Sequence, residues 1–315
     1  MKYYYIIIII AIIYLTIAIK YQYRINNELT IQQINKPNYL QIEEIIDSRN
    51  PAVLTGLIES IRELHLWEPN YFKQLAGKDI ITVQKSLIEQ NTTEYINISL
   101  EKYIDTISTL EQENYFSWRD NTFLGKYNLD KPIKNNLLSN YFSHISSITS
   151  IPITLSPKNY RKGLVSHNTN LSIICQVYGQ KTIYLFSPEQ EKYLYPSTKL
   201  LKYGKTSQVD FWNPDSKLFP SFNKSKYIEI KLSPGQLFII PPYWWYCYKS
   251  TDIDIDFSIF SDTLIHSIAH LTDYAKSILH NCGLYKNTNC LCCNNKKIED
   301  LDVTKGSTKE HNGTK

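Results

Sequence analysis

The chain has 315 residues, 43% of them hydrophobic, and a formal net charge of only +4. That is enough apolar material for one large core or two small ones, and the even charge balance excludes the concentrated basic face of a nucleic-acid binder. Glycine is scarce at 10 residues, whereas Ile, Asn, Lys and Tyr are abundant. In so Asn-rich a chain the N-x-S/T sequons at Asn91, Asn97, Asn170, Asn223 and Asn312 carry no secretory meaning.

The first predicted element is a run without charge, Tyr3 to Ile19, bracketed by Lys2, Lys20 and Arg24. A spanning helix needs about 20 residues, and flanking Tyr and Lys extend a short span by sitting at the interface. Residues 1–20 therefore read as a single-pass membrane anchor. A cleaved signal peptide ending near Thr16 and Ala18 is the alternative. The flanking charges nearly balance, so the side of the membrane stays open. Residues 21–39 are polar and read as a spacer.

From Leu40 the pattern is globular. IEEIID and PAVLTGLI predict a helix, a turn and a strand. LWEPNYFKQLAG predicts a helix entered through Glu68-Pro69 and stopped at Gly77, with IITVQKSL as the following strand. SLEKYIDTISTLEQ has helical spacing behind a capping Ser. Between Asn114 and Phe260, short apolar runs such as SIICQVYG, KTIYLFSP, QLFIIPP and DIDFSIF alternate with turn residues. Many short strands of this kind predict a sandwich or barrel. Residues 263–280 place Leu264, Ile265, Ile268, Leu271, Ala275, Ile278 and Leu279 on one face of a helix, a candidate homodimer contact. Residues 286–315 are nearly devoid of apolar side chains and read as a disordered tail.

Cys175 and Cys247 stand in apolar stretches and read as buried hydrophobes. Cys282, Cys290, Cys292 and Cys293 cluster near His280, but their spacing matches no common zinc module, leaving loose thiols or one disulfide.

Four stretches in one order resemble the JmjC-like cupin (cupin_8) family, which includes the asparaginyl hydroxylase of the hypoxia pathway. They are RNPAVLTGLIESIRELHLWEPNYFKQLAG, SHNTNLSIICQVYGQKTIYLFSPEQEKYLYP, SQVDFWNPDSKLFPSF and LSPGQLFIIPPYWWYCYKS. The resemblance covers about Leu40 to Phe260, and the Ile/Asn/Tyr-rich style is similar to that of large DNA viruses. It implies a mainly β chain: a double-stranded β-helix, or jelly roll, with flanking helices over residues 40–285.

The same resemblance implies a chemistry. Family members hold Fe(II) on H-x-D in one strand and a later His after a paired Trp, and a Lys in the QVxGxK turn binds the far carboxylate of 2-oxoglutarate. Gln176, Val177, Gly179 and Lys181 fit that turn. Counting back from Gln176 puts the first His position at Ser166 and the acid at Asn168; the distal His position is Tyr246. Sliding the register by one brings in His167 but pairs it with Thr169. Neither register supplies an imidazole–carboxylate set, so no metal or cofactor is expected, and Lys181 is left to find an anion, an acidic neighbour or solvent. Gln176 and Trp244 are candidate pocket residues.

Three further groups have plain readings. His266 and His270 share a helix face and read as a surface or interface pair. Asp252, Asp254 and Asp256 alternate with Ile and read as a solvated outer face. Of the aromatic residues from Tyr243 to Tyr248, half point away from any pocket. The reading that follows is a membrane-tethered, catalytically silent cupin-like protein that binds a protein, peptide or small-anion partner. The alternative is an Fe(II)/2-oxoglutarate protein hydroxylase with altered ligation.

Overall fold

A computed structural model describes residues 2–87, 92–109, 116–143, 148–197, 204–269, 271, 275, 278–279 and 282–284. Helix α1 (Lys2–Gln22) leads into strand β1 (Gln32–Asn35), helix α2 (Tyr39–Ser48) and strand β2 (Ala52–Thr55). Helix α3 (Pro69–Ala76), strands β3 (Ile80–Leu87) and β4 (Thr92–Ser99), helix α4 (Leu100–Thr109) and strand β5 (Phe116–Asp120) follow. The remaining strands are β6 (Ile148–Ser150), β7 (Ile153–Ser156), β8 (Arg161–His167), β9 (Leu171–Tyr178), β10 (Lys181–Phe186), β11 (Gly204–Thr206), β12 (Ile228–Leu232), β13 (Leu237–Ile240), β14 (Trp245–Ser250) and β15 (Asp254–Ser261). A last helix spans Leu264–Ala269.

The chain is mainly β and folds as two facing sheets. The larger runs β1-β2-β13-β9-β15-β7-β5-β3-β4, with β6 also on β15, and the smaller runs β11-β8-β14-β10-β12. From β8 onward the strands pass back and forth between the two sheets. Among the described residues all strand pairings are antiparallel except β1 with β2.

Local chemistry explains several boundaries. Asn38 and Gln41 form a reciprocal capping box at the start of α2. Pro69 sits at the first position of α3, where its missing N–H costs nothing. Gly179 turns β9 into β10 at φ +67, and a Cβ there would lie 2.0 Å from the Ile253 carbonyl oxygen. Only glycine meets both demands. The expected spacer is partly structured, because β1 lies within it and pairs with β2 while Leu29 and Ile31 pack on the barrel interior.

Three apolar layers result. Between the sheets, Val53, Ile174, Phe238 and Ile240 of the larger meet Ile183, Leu185, Ile230, Leu232, Tyr246 and Tyr248 of the smaller. The outer face of the larger sheet packs under the helices, with Trp67, Phe72 and Tyr103 against Phe257, Leu155 and Ile173. The outer face of the smaller sheet, Leu164, Phe186, Trp245 and Cys247, is covered by Leu194, Val209 and Phe222. Cys175 and Cys247 are buried as expected, and Cys282 is exposed. The tail 286–315, Cys290, Cys292, Cys293, His270 and His280 lie outside the described residues.

Candidate functional site

The pairing of β8 with β14 decides which side chains enter the barrel. Val165 lies opposite Tyr246 and Ser166 opposite Trp245; the register then shifts so that Lys162 faces Tyr248. Cross-strand partners share a face. Tyr246 and Tyr248 belong to the interior layer and Trp245 to the outer one. Val165, Lys162 and, two residues beyond Val165, His167 therefore point inward, and Ser166 points outward. Ser166, expected at a ligand position, thus lies on the face of Trp245, away from the barrel interior. The count from Gln176 runs through the irregular link 168–170, which resets the face by one residue.

His167 Nε2 stands 3.0 Å from the Tyr246 hydroxyl, and its ring lies 5.3 Å from that of Phe260. Thr169 is buried with its hydroxyl 2.8 Å from that of Ser172, an inward residue opposite Ile240 and Phe260. The place where the resemblance puts a metal is thus bounded by one imidazole, a phenol and a threonine hydroxyl. Burial pushes the Tyr246 phenol up to about 12, so phenolate is not on offer near neutral pH. Neutral hydroxyls cannot offset the charge of Fe(II), which favours a two-His-one-carboxylate face. Among the described residues no three His, Cys, Asp or Glu side chains converge on a metal-binding point. The residues present do not fit the group.

Lys181 opens β10 and is buried. Its ammonium hydrogen-bonds Asp256, lies 2.8 Å from Asp254 Oδ1, and sits 4.5 Å over the Tyr248 ring. Asp254 and Asp256 are buried, opposite Ser156 and Thr154 of β7, and Asp256 also faces Gln176. This overturns the solvated outer face expected for the alternating acids; only Asp252, before the strand, is exposed. The strand is central and covered on both faces, and Lys181 supplies the countercharge. Burial pushes the Asp254 carboxyl up to about 6, with Asp256 adding to the effect and Lys181 opposing it. Burial alone would pull Lys181 down, but the two carboxylates outweigh it and hold its pKa above the ordinary value.

The two pocket candidates divide. Gln176 is buried, and its amide donates to the carbonyls of Tyr178 and Gly179 at 2.7 and 3.3 Å, so it braces the turn before Lys181. Trp244 lies in the interior layer with its indole N–H buried and no hydrogen-bond partner among the described residues.

Two cations escaped the sequence reading. Lys162 is half-buried, its ammonium 5.2 Å from the Tyr246 ring and 5.4 Å from the Tyr248 ring. Arg119 is exposed, its guanidinium 5.3 Å over Phe260. Among the described residues neither meets a carboxylate within ion-pair distance. Burial, reinforced by Arg119 and Lys181 against an opposing Asp256, pushes the Lys162 ammonium down to about 7. The signal for Lys162 was a cation on a strand whose inward neighbours are apolar; for Arg119 it was only a cation beside the core residue Trp118.

His266 is not a surface histidine. It is buried, with Nε2 3.3 Å from Asp262 Oδ1 and in contact with the Asn168 carbonyl. Asp262 accepts the Asn170 N–H at 3.0 Å, and Arg49 donates to the Asn170 backbone and side-chain oxygens at 3.1 and 3.2 Å. These side chains clamp the 168–170 link that sets the inward register of His167. Tyr3–Gln22 forms a helix long and apolar enough to cross a membrane.

Residues 37–263 match the family described as Cupin-like domain. That is most of the chain, and the chain belongs to this family. It is similar to JmjC domain-containing protein D of Dictyostelium discoideum, at 29% identity over 75% of this chain and 57% of that protein. It is also similar to lysine-specific demethylase 8 of Xenopus tropicalis, at 24% identity over 75% of this chain and 53% of that protein. A shorter match, 38% identical over 92 residues, links it to HSPB1-associated protein 1 of Mus musculus, covering 28% of this chain and 18% of that protein. The chain spans little more than half the length of the first two relatives.

Proposed function

We propose that this member of the cupin-like family is a binding module without Fe(II)/2-oxoglutarate oxygenase activity, held at a membrane by α1, and that its barrel mouth receives an anionic group of a protein or peptide partner. The observation that carries the reading is the state of Lys181. The side chain that the family resemblance reserves for the cofactor's far carboxylate is already neutralised by Asp254 and Asp256 of the same chain. A dicarboxylate entering there would meet two acids in a low-dielectric interior, where like charges repel strongly. Two cations remain without a carboxylate partner among the described residues, the exposed Arg119 and the half-buried Lys162 beside the Tyr246 and Tyr248 rings, and an acidic side chain or terminal carboxylate entering the barrel mouth can pair with them.

Titration of the full-length protein with a hexaglutamate peptide, against a hexalysine control, tests this. The expected result is salt-sensitive binding of the acidic peptide that Arg119→Glu and Lys162→Glu abolish. Binding of neither peptide, or binding that survives both substitutions, contradicts it.

One observation favours the alternative hydroxylase. His167 is turned inward, and one relative is named a lysine-specific demethylase. Under that reading substrate or cofactor would complete the ligation, and the protein would retain iron despite Tyr246 and Thr169.

A further inference from the structure

We infer that the exposed residues Ile268, Leu271, Ala275, Ile278, Leu279, Cys282 and Leu284 face the lipid surface beside the end of α1, as a second membrane contact of the same chain; this rests on the reading of α1 as a membrane span. Ile268, Leu271, Ile278, Leu279 and Leu284 expose 39%, 63%, 61%, 42% and 79% of their surface. With Ala275 and Cys282, both also exposed, they recur at positions 268, 271, 275, 278 and 282. That alternation of three and four places them on one stripe of a helix. Helical residues are found at 271, 275, 278 and 279, and the Cys282 N–H closes an i to i−4 bond on Ile278. Near the segment's start, His266 is buried against Asp262 and Asn168, which fixes one side of the helix on the domain and turns Ile268 outward.

The position relative to α1 names the occupant. Tyr23, immediately after α1, donates its hydroxyl to the Ala269 carbonyl at 2.7 Å. Ala18 and Ile19 are half-buried and Gln22 is buried, whereas Tyr3 to Ile17 are exposed. The last turn of α1 is therefore held against the domain while the rest stands free. Lys20, Tyr21, Tyr23 and Arg24, with the Arg24 guanidinium 4.1 Å over the Tyr21 ring, form an aromatic and basic collar of the kind that sits at headgroup level. A helix pinned to that collar through Ala269 starts at the interface, and an apolar stripe there contacts acyl chains in every molecule. A second copy would have to supply a matching stripe at the same depth.

The test uses the full-length protein in phosphatidylcholine–phosphatidylserine vesicles, with Cys290→Ser, Cys292→Ser and Cys293→Ser, and an environment-sensitive fluorophore on Cys282. Cys175 and Cys247 are buried and do not compete for label. The expected result is quenching by lipids brominated near the headgroup, none by aqueous iodide, and loss of lipid quenching in Leu271→Glu and Ile278→Glu. Those residues are exposed, so their substitution leaves the fold intact, and the variants remain carbonate-resistant through α1. Iodide quenching in carbonate-resistant protein overturns the inference and spares the anchor. So does a label shielded from both quenchers but self-quenched as protein density rises, which identifies a second copy as the occupant. Release of the unsubstituted protein by carbonate removes the anchor reading and this inference with it.

Discussion

The Lys181 ammonium lies 2.8 Å from Asp254 Oδ1 and bonds Asp256, so one side chain of the smaller sheet is held by two acids of the larger across the barrel interior. A buried charge whose partner is removed costs far more than a surface one, about 3–5 kcal/mol. Lys181→Met is therefore expected to destabilise the protein by about that amount, read as a shift of the urea midpoint. Asp256→Asn is expected to fall in the same range, since it removes the carboxylate that bonds the ammonium.

Asp254 behaves differently. Its folded pKa of about 6 lies above the ordinary 3.8, so between these values the folded protein holds a proton that the unfolded chain has lost. Stability from this group is full below 3.8 and is lost as pH rises through about 6. Asp254→Asn leaves the Lys181–Asp256 pair intact and is expected to be neutral or stabilising at pH 7.5, by up to about 3 kcal/mol. It should also flatten the stability profile between pH 4 and 6. A loss as large as that of Lys181→Met would show Asp254 to be the essential partner.

Lys162 has the opposite profile. Its folded pKa of about 7 lies below the ordinary 10.5, so between these values the unfolded chain holds the extra proton. Stability rises with pH across that window, and the full penalty applies below 7. Lys162→Met is expected to raise the melting temperature most at pH 6 and least above pH 10. The same titration should make acidic-peptide binding stronger at pH 6 than at pH 8.5.

Much of this architecture was legible in the residues. Glu68-Pro69 and Gly77 mark α3, and the QVYGQK turn places Gly179 and Lys181 where the structure has them. The acidic neighbour left open for Lys181 is present twice. The face of each strand was harder to read. Alternation sorts side chains into two sets but does not say which set is inside when both faces are covered, and so Asp254 and Asp256 were placed on the wrong side. A register shift opposite Cys247 brought Lys162 inward beside Tyr248, and the clamped link at 168–170 moved the inward position from Ser166 to His167. Spacing alone does not encode either irregularity.

That register has a constructive test. Thr169→Asp with Tyr246→His, beside the native His167, should create a two-His-one-carboxylate set and confer stoichiometric Co(II) binding with its visible absorption. Adding Ser166→His to the native protein should confer none, because residue 166 faces Trp245. Metal binding by the second variant and not the first would restore the register counted from Gln176.

For α1, Ile8→Lys with Ile12→Lys is expected to release the protein from membranes in alkaline carbonate. Each charge near a helix centre costs about 2.5–3.5 kcal/mol of insertion free energy. A mature protein beginning near Ile19 would identify a signal peptide instead.

With Tyr246 and Thr169 beside His167, the barrel is expected not to support iron-dependent oxygenation. Full-length protein is loaded anaerobically with Fe(II) and 2-oxoglutarate, freed of unbound metal, given oxygen, and assayed for retained iron and for succinate. The expected outcome is substoichiometric iron and succinate no higher than in a protein-free blank. One iron per chain, with succinate formed beyond a single turnover, would contradict the claim and establish His167 as a ligand in a working site.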